Sequence, residues 1–236
     1  MADIEPEVDQ EEVVNNENVS FIDEHEAFAA SRSSKFVYIP TRDYFFSTLD
    51  QHADTMEGDV KPPLVVLGGE GSGKSAFLAN WVAKRRIVKH RDEFLFQHFV
   101  GCSTKNFELS HTLFRLETAL KDFFQLREME VPDTEERLRW SLSRFLGAAA
   151  KKHSHARIVI VIDGVNGLKG EGGREGELYW LPTELPPCVR FIVSSVEHER
   201  EQKDEVEFSH HRTYVELARR QCPVLRMEPL SVATRQ

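Results

Sequence analysis

PLVVLGGEGSGKSAFLANW, residues 63–81, joins three kinds of sequence in nineteen residues. Leu64–Leu67 is a β-branched, wholly apolar run, the pattern of a strand covered on both faces. Gly68–Gly73 is a glycine-rich turn, and Ser75–Arg86 places Phe77, Leu78, Trp81 and Val82 on one helical face. Strand, glycine loop and helix in that order match G-x-x-x-x-G-K-[ST] at Gly68–Ser75. Glycines allow a tight turn that aims several N–H groups inward, and the helix adds its positive N-terminal end. The residues expected to grip a nucleotide are Gly68, Gly69, Glu70, Gly71, Ser72, Gly73, Lys74 and Ser75, with Ala76 beginning the helix. Lys74 is expected at the β- and γ-phosphates as the catalytic cation, and the Ser75 hydroxyl on Mg²⁺.

Outward from this stretch, four further apolar runs read as strands: Phe94–Val100, Ile158–Ile162, Val189–Val193 and Val224–Met227. Helical periodicity fills several gaps. Thr41–His52 sets Tyr44, Phe45 and Leu49 on one side, and Ser110–Leu126 aligns Leu113, Leu116, Leu120 and Phe124. Asp133, with Glu136 three residues on, reads as the cap of a helix whose buried side is Leu138, Leu142, Phe145 and Leu146. The alternation predicts an α/β fold: a three-layer core with a five-stranded, mainly parallel sheet, preceded by a disordered acidic tail.

The charge supports that tail. Of 236 residues with net charge −9, residues 1–26 hold ten Asp or Glu and no Lys or Arg. The rest carries 30 basic against 29 acidic residues, so the domain itself is nearly neutral. The expected organisation is an acidic, largely disordered segment over 1–34, a nucleotide-binding domain over 35–230, and the start of a following helix over 231–236. No apolar run is long enough for a membrane span, and MADIEPEVDQ lacks the basic start and apolar stretch of a signal peptide. Cys102, Cys188 and Cys222 have no metal-type spacing. A soluble cytoplasmic protein is expected.

The second half of the site is RIVIVIDGVNGL, residues 157–168. Five apolar residues lead to Asp163 at the strand's C-terminal end, the edge where open parallel sheets bind ligands. Asp163 is therefore expected to join Ser75 at Mg²⁺. The residue that would activate water is absent next door: Gly164, Val165, Asn166 and Gly167 follow, and Glu171 is eight residues on. Asn166 can hold a water but cannot take its proton. Ser194 and Ser195, ending VRFIVSS, are placed to report on the γ-phosphate, and Arg200 can reach the same region. The glycines between 164 and 176 lack a following Lys-Ser and read as a mobile loop. His153/His155 and His210/His211 read as surface residues, and Ala83–Arg91 as a solvated basic helix end rather than a nucleic-acid contact. No N-K-x-D segment is present, which favours ATP over GTP.

These segments together resemble the NACHT-type core of the STAND P-loop NTPases, in particular members carrying tetratricopeptide repeats. The resemblance rests on YIPTRDYFFSTLDQH, the 63–81 stretch, FQHFVGCSTKNFELSHTLFRL, IVIVIDGVNGL, WLPTELPPCVRFIVSS and CPVLRMEPLS, in that order over Phe36–Ser231. It implies ATP or ADP with Mg²⁺, and a sheet in which the strand of Ser194 lies between those of Asp163 and the glycine loop. It also implies Tyr38–Tyr44 over the adenine side, Ser194 and Ser195 as the phosphate sensor, and a switch controlling assembly with other domains or chains. Association with cilia is implied only by this resemblance. The chain departs from the pattern at Val165–Gly167, where acidic residues are usual, and at Val196, where Arg is usual. Three functions follow: an ATP-binding signalling switch with slow or impaired hydrolysis, a self-sufficient ATPase or phosphotransferase, or a nucleotide-independent interaction module. None of the three calls for nucleic acid or a membrane.

Overall fold

The computed structural model describes residues 24–34, 43–55, 61–88, 92–152, 156–197 and 205–228. The expected start of a helix at 231–236 lies outside them. Five strands, β1 (Leu64–Gly68), β2 (Glu93–Phe99), β3 (Arg157–Asp163), β4 (Val189–Val196) and β5 (Val224–Arg226), form one sheet in the order β2-β3-β4-β1-β5. All neighbours are parallel. The α/β expectation holds, as does the place of the Ser194 strand between those of Asp163 and the glycine loop.

The uninterrupted apolar strands are explained by helices on both faces. Side chains alternate across a strand, so Ile158, Ile160 and Ile162 enter one core while Val159 and Val161 enter the other. On one face lie α2 (Asp43–Asp54) and α3 (Lys74–Val88), with Leu49, Phe77, Leu78, Trp81 and Val82 against Leu64 and Val66. The other holds α4 (Leu109–Phe124), α5 (Glu135–Lys152) and part of α6 (Glu205–Arg219), packed on Val65, Leu67, Phe191 and Val193. Full burial of each such aliphatic side chain contributes about 1.5–3 kcal/mol.

Three local expectations change. The buried face of α2 is Phe46, Leu49 and Ala53, with Tyr44 70% exposed. Burial follows the i, i+3, i+7 stripe set by Leu49, which a neighbouring aromatic cannot share. The amide of Leu138 donates to the Thr134 carbonyl, so Thr134 flanks α5, while Asp133 pairs with Arg137 at 3.8 Å. Finally, residues 24–33, assigned above to the tail, form a helix, α1. His25 and Ala29 of α1 are buried, Ala29 against Ala79 and Phe99.

Candidate functional site

The C-terminal edges of β1, β3 and β4 converge because these strands are neighbours in register, with Leu67 opposite Ser195 and Ile162 opposite Val193. β1 ends at Gly68, and the loop reaches α3 through Gly71 (φ 71°) and Gly73 (φ 90°), left-handed positions that glycine takes without strain. Gly68 has a different reason to be glycine: a Cβ there would stand 2.4 Å from the Met227 carbonyl oxygen. Ser72 is buried in the loop.

Lys74 folds over this loop. Its Nζ donates to the Gly68 carbonyl at 2.7 Å and to the Gly69 carbonyl at 2.9 Å, with Ser72 Oγ at 3.4 Å. Burial lowers its pKa, opposed by the charges of Asp163, Glu70 and Glu197. The ammonium is thus partly desolvated and held within a cradle of main-chain groups.

Asp163 closes β3 and is buried. Ser194 Oγ donates to Asp163 Oδ1 at 2.5 Å and accepts the Gly164 N–H at 2.8 Å. Burial raises the Asp163 pKa; hydrogen bonds from Ser194 and Ser75, then the charges of Lys74 and Arg32, work against it. A buried carboxylate that has Ser75 and Lys74 among its partners suits a cation beside a phosphate chain. The donor set of hydroxyl and carboxylate oxygens is that of a hard ion such as Mg²⁺.

The remaining expected residues divide. Asn166 is buried, and its Oδ1 accepts the Val196 N–H at 3.2 Å, tying the turn after β3 to the end of β4. Ser195 is also buried, but its hydroxyl lies 3.4 Å from the Val196 carbonyl and contacts its own strand. Glu171 is exposed, its N–H held by Glu135 Oε2 at 2.9 Å. The glycine loop around it is anchored further: Tyr179 donates to Glu135 Oε1 at 2.6 Å, and Thr213 to the Gly176 carbonyl at 2.6 Å. Tyr38, Arg200, His153 and His155, and the side chains of His210 and His211, lie outside the described residues. In the basic stretch, Arg85 is buried against Glu93, Asp50 and Asp54, and Arg86 pairs with Glu26 at 2.8 Å.

Two charged residues near the loop escaped the sequence reading. Glu197 follows β4; its N–H donates to the Gly68 carbonyl at 3.1 Å and its carboxylate meets Arg226 at 3.1 Å. Its position at a strand's C-terminal edge was a usable signal. Arg32 belongs to α1, where no motif marks it.

No known protein-family profile matches the chain. Among curated proteins it is 30% identical over 145 residues to mouse tetratricopeptide repeat protein 41, covering 58% of this chain and 11% of that protein. It is 33% identical over 136 residues to mouse nephrocystin-3, covering 56% of this chain and 10% of that protein. The chain thus spans about a tenth of the length of the curated relatives it matches. In fold it is similar to a chain of the Drosophila ORC bound to DNA, with TM-score 0.54 and 12% identity, covering 89% of this chain and 48% of that one. Among the described residues, no helix is long and apolar enough to cross a membrane.

Proposed function

We propose that this chain is the nucleotide-binding core of a P-loop NTPase of NACHT type within the STAND class, binding ATP with Mg²⁺ as an assembly switch whose hydrolysis is slow. The observation that carries the reading is the junction of Ser75, Asp163 and Ser194 beside the Gly68–Ser75 loop. Backbone N–H groups of residues 69–75 and Lys74 would bind the phosphates; Ser75 and Asp163 would hold the metal. Bound Mg²⁺ would supply charge neutralisation at the β- and γ-phosphates.

Slow hydrolysis is supported by what surrounds Asp163. Gly164, Val165, Asn166 and Gly167 follow it, and the Asn166 carbonyl oxygen is engaged with Val196. No base stands next to the metal carboxylate in sequence, and general-base assistance typically contributes 10²–10⁴-fold. The likeness to tetratricopeptide-repeat proteins favours a role in assemblies with other protein domains.

The test is ATP·Mg²⁺ affinity and single-turnover hydrolysis for the wild type and Lys74→Ala. The switch requires binding that Lys74→Ala abolishes, with negligible turnover. Turnover on the order of 1 per second, an ordinary enzymatic rate, would establish an ATPase instead. Absence of binding would leave a protein-interaction module.

A further inference from the structure

The N-terminal helix extends to the mouth of this site. α1 runs antiparallel to α3: Glu26 near its start pairs with Arg86 near the end of α3, and Ala29 meets Ala79 further along. From Ala29 to Arg32 the helix advances about 4.5 Å, and from Ala79 back to Ser75 about 6 Å in the same direction. Arg32 therefore lies beyond that contact, on the side towards the N-terminal end of α3. A second chain of contacts leads to the same place. The Arg32 guanidinium carbon stands 4.7 Å from the Phe28 ring centroid, and Phe28 lies 5.1 Å from Phe99. Phe99 is the register partner of Asp163, and the next amide, Val100, donates to the Asp163 carbonyl. Arg32 thus sits over the sheet edge that carries the metal carboxylate.

Arg32 is exposed, and among the described residues no carboxylate lies within ion-pair distance of it. Its aliphatic stem and guanidinium are oriented by Phe28 rather than by a counter-ion. A planar fork of donors held this way suits a phosphate, which it can engage through two parallel hydrogen bonds. The side of the loop matters as well. On the nucleotide-binding reading Lys74 meets the β- and γ-phosphates and Ser75 the metal, and Asp163, at the end of β3 with β4 between it and β1, marks the γ end.

We propose that Arg32 is a specificity-determining residue of the nucleotide site, engaging the terminal phosphate of a nucleoside triphosphate in cis and distinguishing it from the diphosphate. This rests on the nucleotide-binding reading above. It makes the docked N-terminal helix part of the site: a γ-phosphate draws Arg32, and with it α1, towards β3, whereas a diphosphate leaves the guanidinium without its ligand.

The experiment is a competition titration of ATP·Mg²⁺ and ADP·Mg²⁺ on the full chain, for the wild type, Arg32→Gln, Arg32→Lys and Lys74→Ala. A charge-assisted hydrogen bond lost at the γ-phosphate predicts about a tenfold or greater fall in ATP affinity for Arg32→Gln. ADP affinity should change less than about twofold, since the diphosphate lacks the group that Arg32 reads. Arg32→Lys should fall between, keeping the charge without the fork. Lys74→Ala should lose both nucleotides. Equal losses of ATP and ADP in Arg32→Gln would mean that Arg32 only holds α1 in place, and would overturn the proposal. A rise in ATP·Mg²⁺ affinity would make Arg32 a counter-ion of Asp163 that competes with the metal, and would overturn it too. A wild type that binds neither nucleotide refutes the nucleotide reading itself, and the proposal with it.

Discussion

His25 should make the fold acid-labile by an amount that can be isolated. Its ring is wholly buried, and Nδ1 accepts the Phe99 N–H at 3.1 Å. That contact fixes the proton on Nε2, which donates to Asn106 Oδ1 at 3.1 Å. An imidazolium would need a second proton on Nδ1, pointed at the Phe99 donor. Burial first, and then the Arg115 charge, push the pKa down to about 3, and the Asn106 hydrogen bond only partly opposes them. The folded value thus lies below the unfolded one, near 6.5, so the unfolded chain binds more protons under acidic conditions. Stability from this group is complete above about pH 6.5 and falls by about 1.4 kcal/mol per pH unit as pH drops towards about 3.

At about pH 5 the loss from His25 alone is about 2 kcal/mol, a figure that does not depend on how far below 5 the folded pKa lies. His52, pushed down to about 4 by burial, and His98, well below its ordinary value, add losses of the same sign. A single acid-denaturation curve therefore cannot apportion them. The comparison that can is urea unfolding, followed by circular dichroism, of the wild type and His25→Gln at about pH 7 and about pH 5. Glutamine remains uncharged and can still accept from Phe99, so the gap in unfolding free energy should move by about 2 kcal/mol in favour of the variant. A gap that stays within about 0.5 kcal/mol would show that His25 takes up its proton in the folded chain, and would refute the anchored imidazole.

Two further outcomes follow from buried groups. Gly68→Ala should destabilise the fold by about 2 kcal/mol, because its Cβ would meet the Met227 carbonyl oxygen at 2.4 Å, whereas Gly69→Ala, with nothing within 4 Å, should stay within about 0.5 kcal/mol. Thermal melts should separate the two by about 6 °C, and equal melting points would disprove the close approach of the Met227 carbonyl. Glu117 lies buried between α4 and α5, and Ser141 donates to its Oε2 at 2.6 Å. Burial raises its pKa to about 7, against that hydrogen bond and the Arg144 charge. Here the folded value exceeds the unfolded one, so stability is lost as pH rises from about 4.5 to about 7, by about 3 kcal/mol in all. Glu117→Gln should remove that slope, and a pH-independent difference from wild type would contradict it.

The strands, the glycine loop and Asp163 were legible because each is encoded locally. A β-branched run, a motif of fixed spacing and a carboxylate at a strand end need no knowledge of what lies opposite. The faces of α3, α4 and α5 were legible for the same reason, through periodicity. Asn166 illustrates the limit. As an isolated polar residue after Asp163 it reads as a water-holding group, but its oxygen is taken by the Val196 amide, contributed by a strand thirty residues away. Ser194 and Ser195 show the limit on a smaller scale. Adjacent residues of a strand face opposite ways, so only Ser194 meets Asp163, and sequence could not say which.

The N-terminal helix was missed through a sound argument applied to the wrong partners. A block of acidic residues is read as solvated because a buried charge is costly without a counterpart. For α1 the counterparts are remote in sequence: Glu26 meets Arg86 and Gln97, and Glu24 accepts from Asn106. Beneath them Arg115 is stacked on Phe96 at 4.5 Å and donates to the Gln97 carbonyl, its pKa pushed down to about 10 by burial, with Glu26 among the charges opposing the shift. The near neutrality of the rest of the chain conceals these two cations, Arg86 and Arg115, close to Glu26 of α1. The acidity of residues 24–26 therefore belongs to the folded domain as its electrostatic complement. The same docking that satisfies those cations carries Arg32 to the edge of β3. The polar anchor at one end of α1 and the position of Arg32 at the other are consequences of the same packing of α1 on α3.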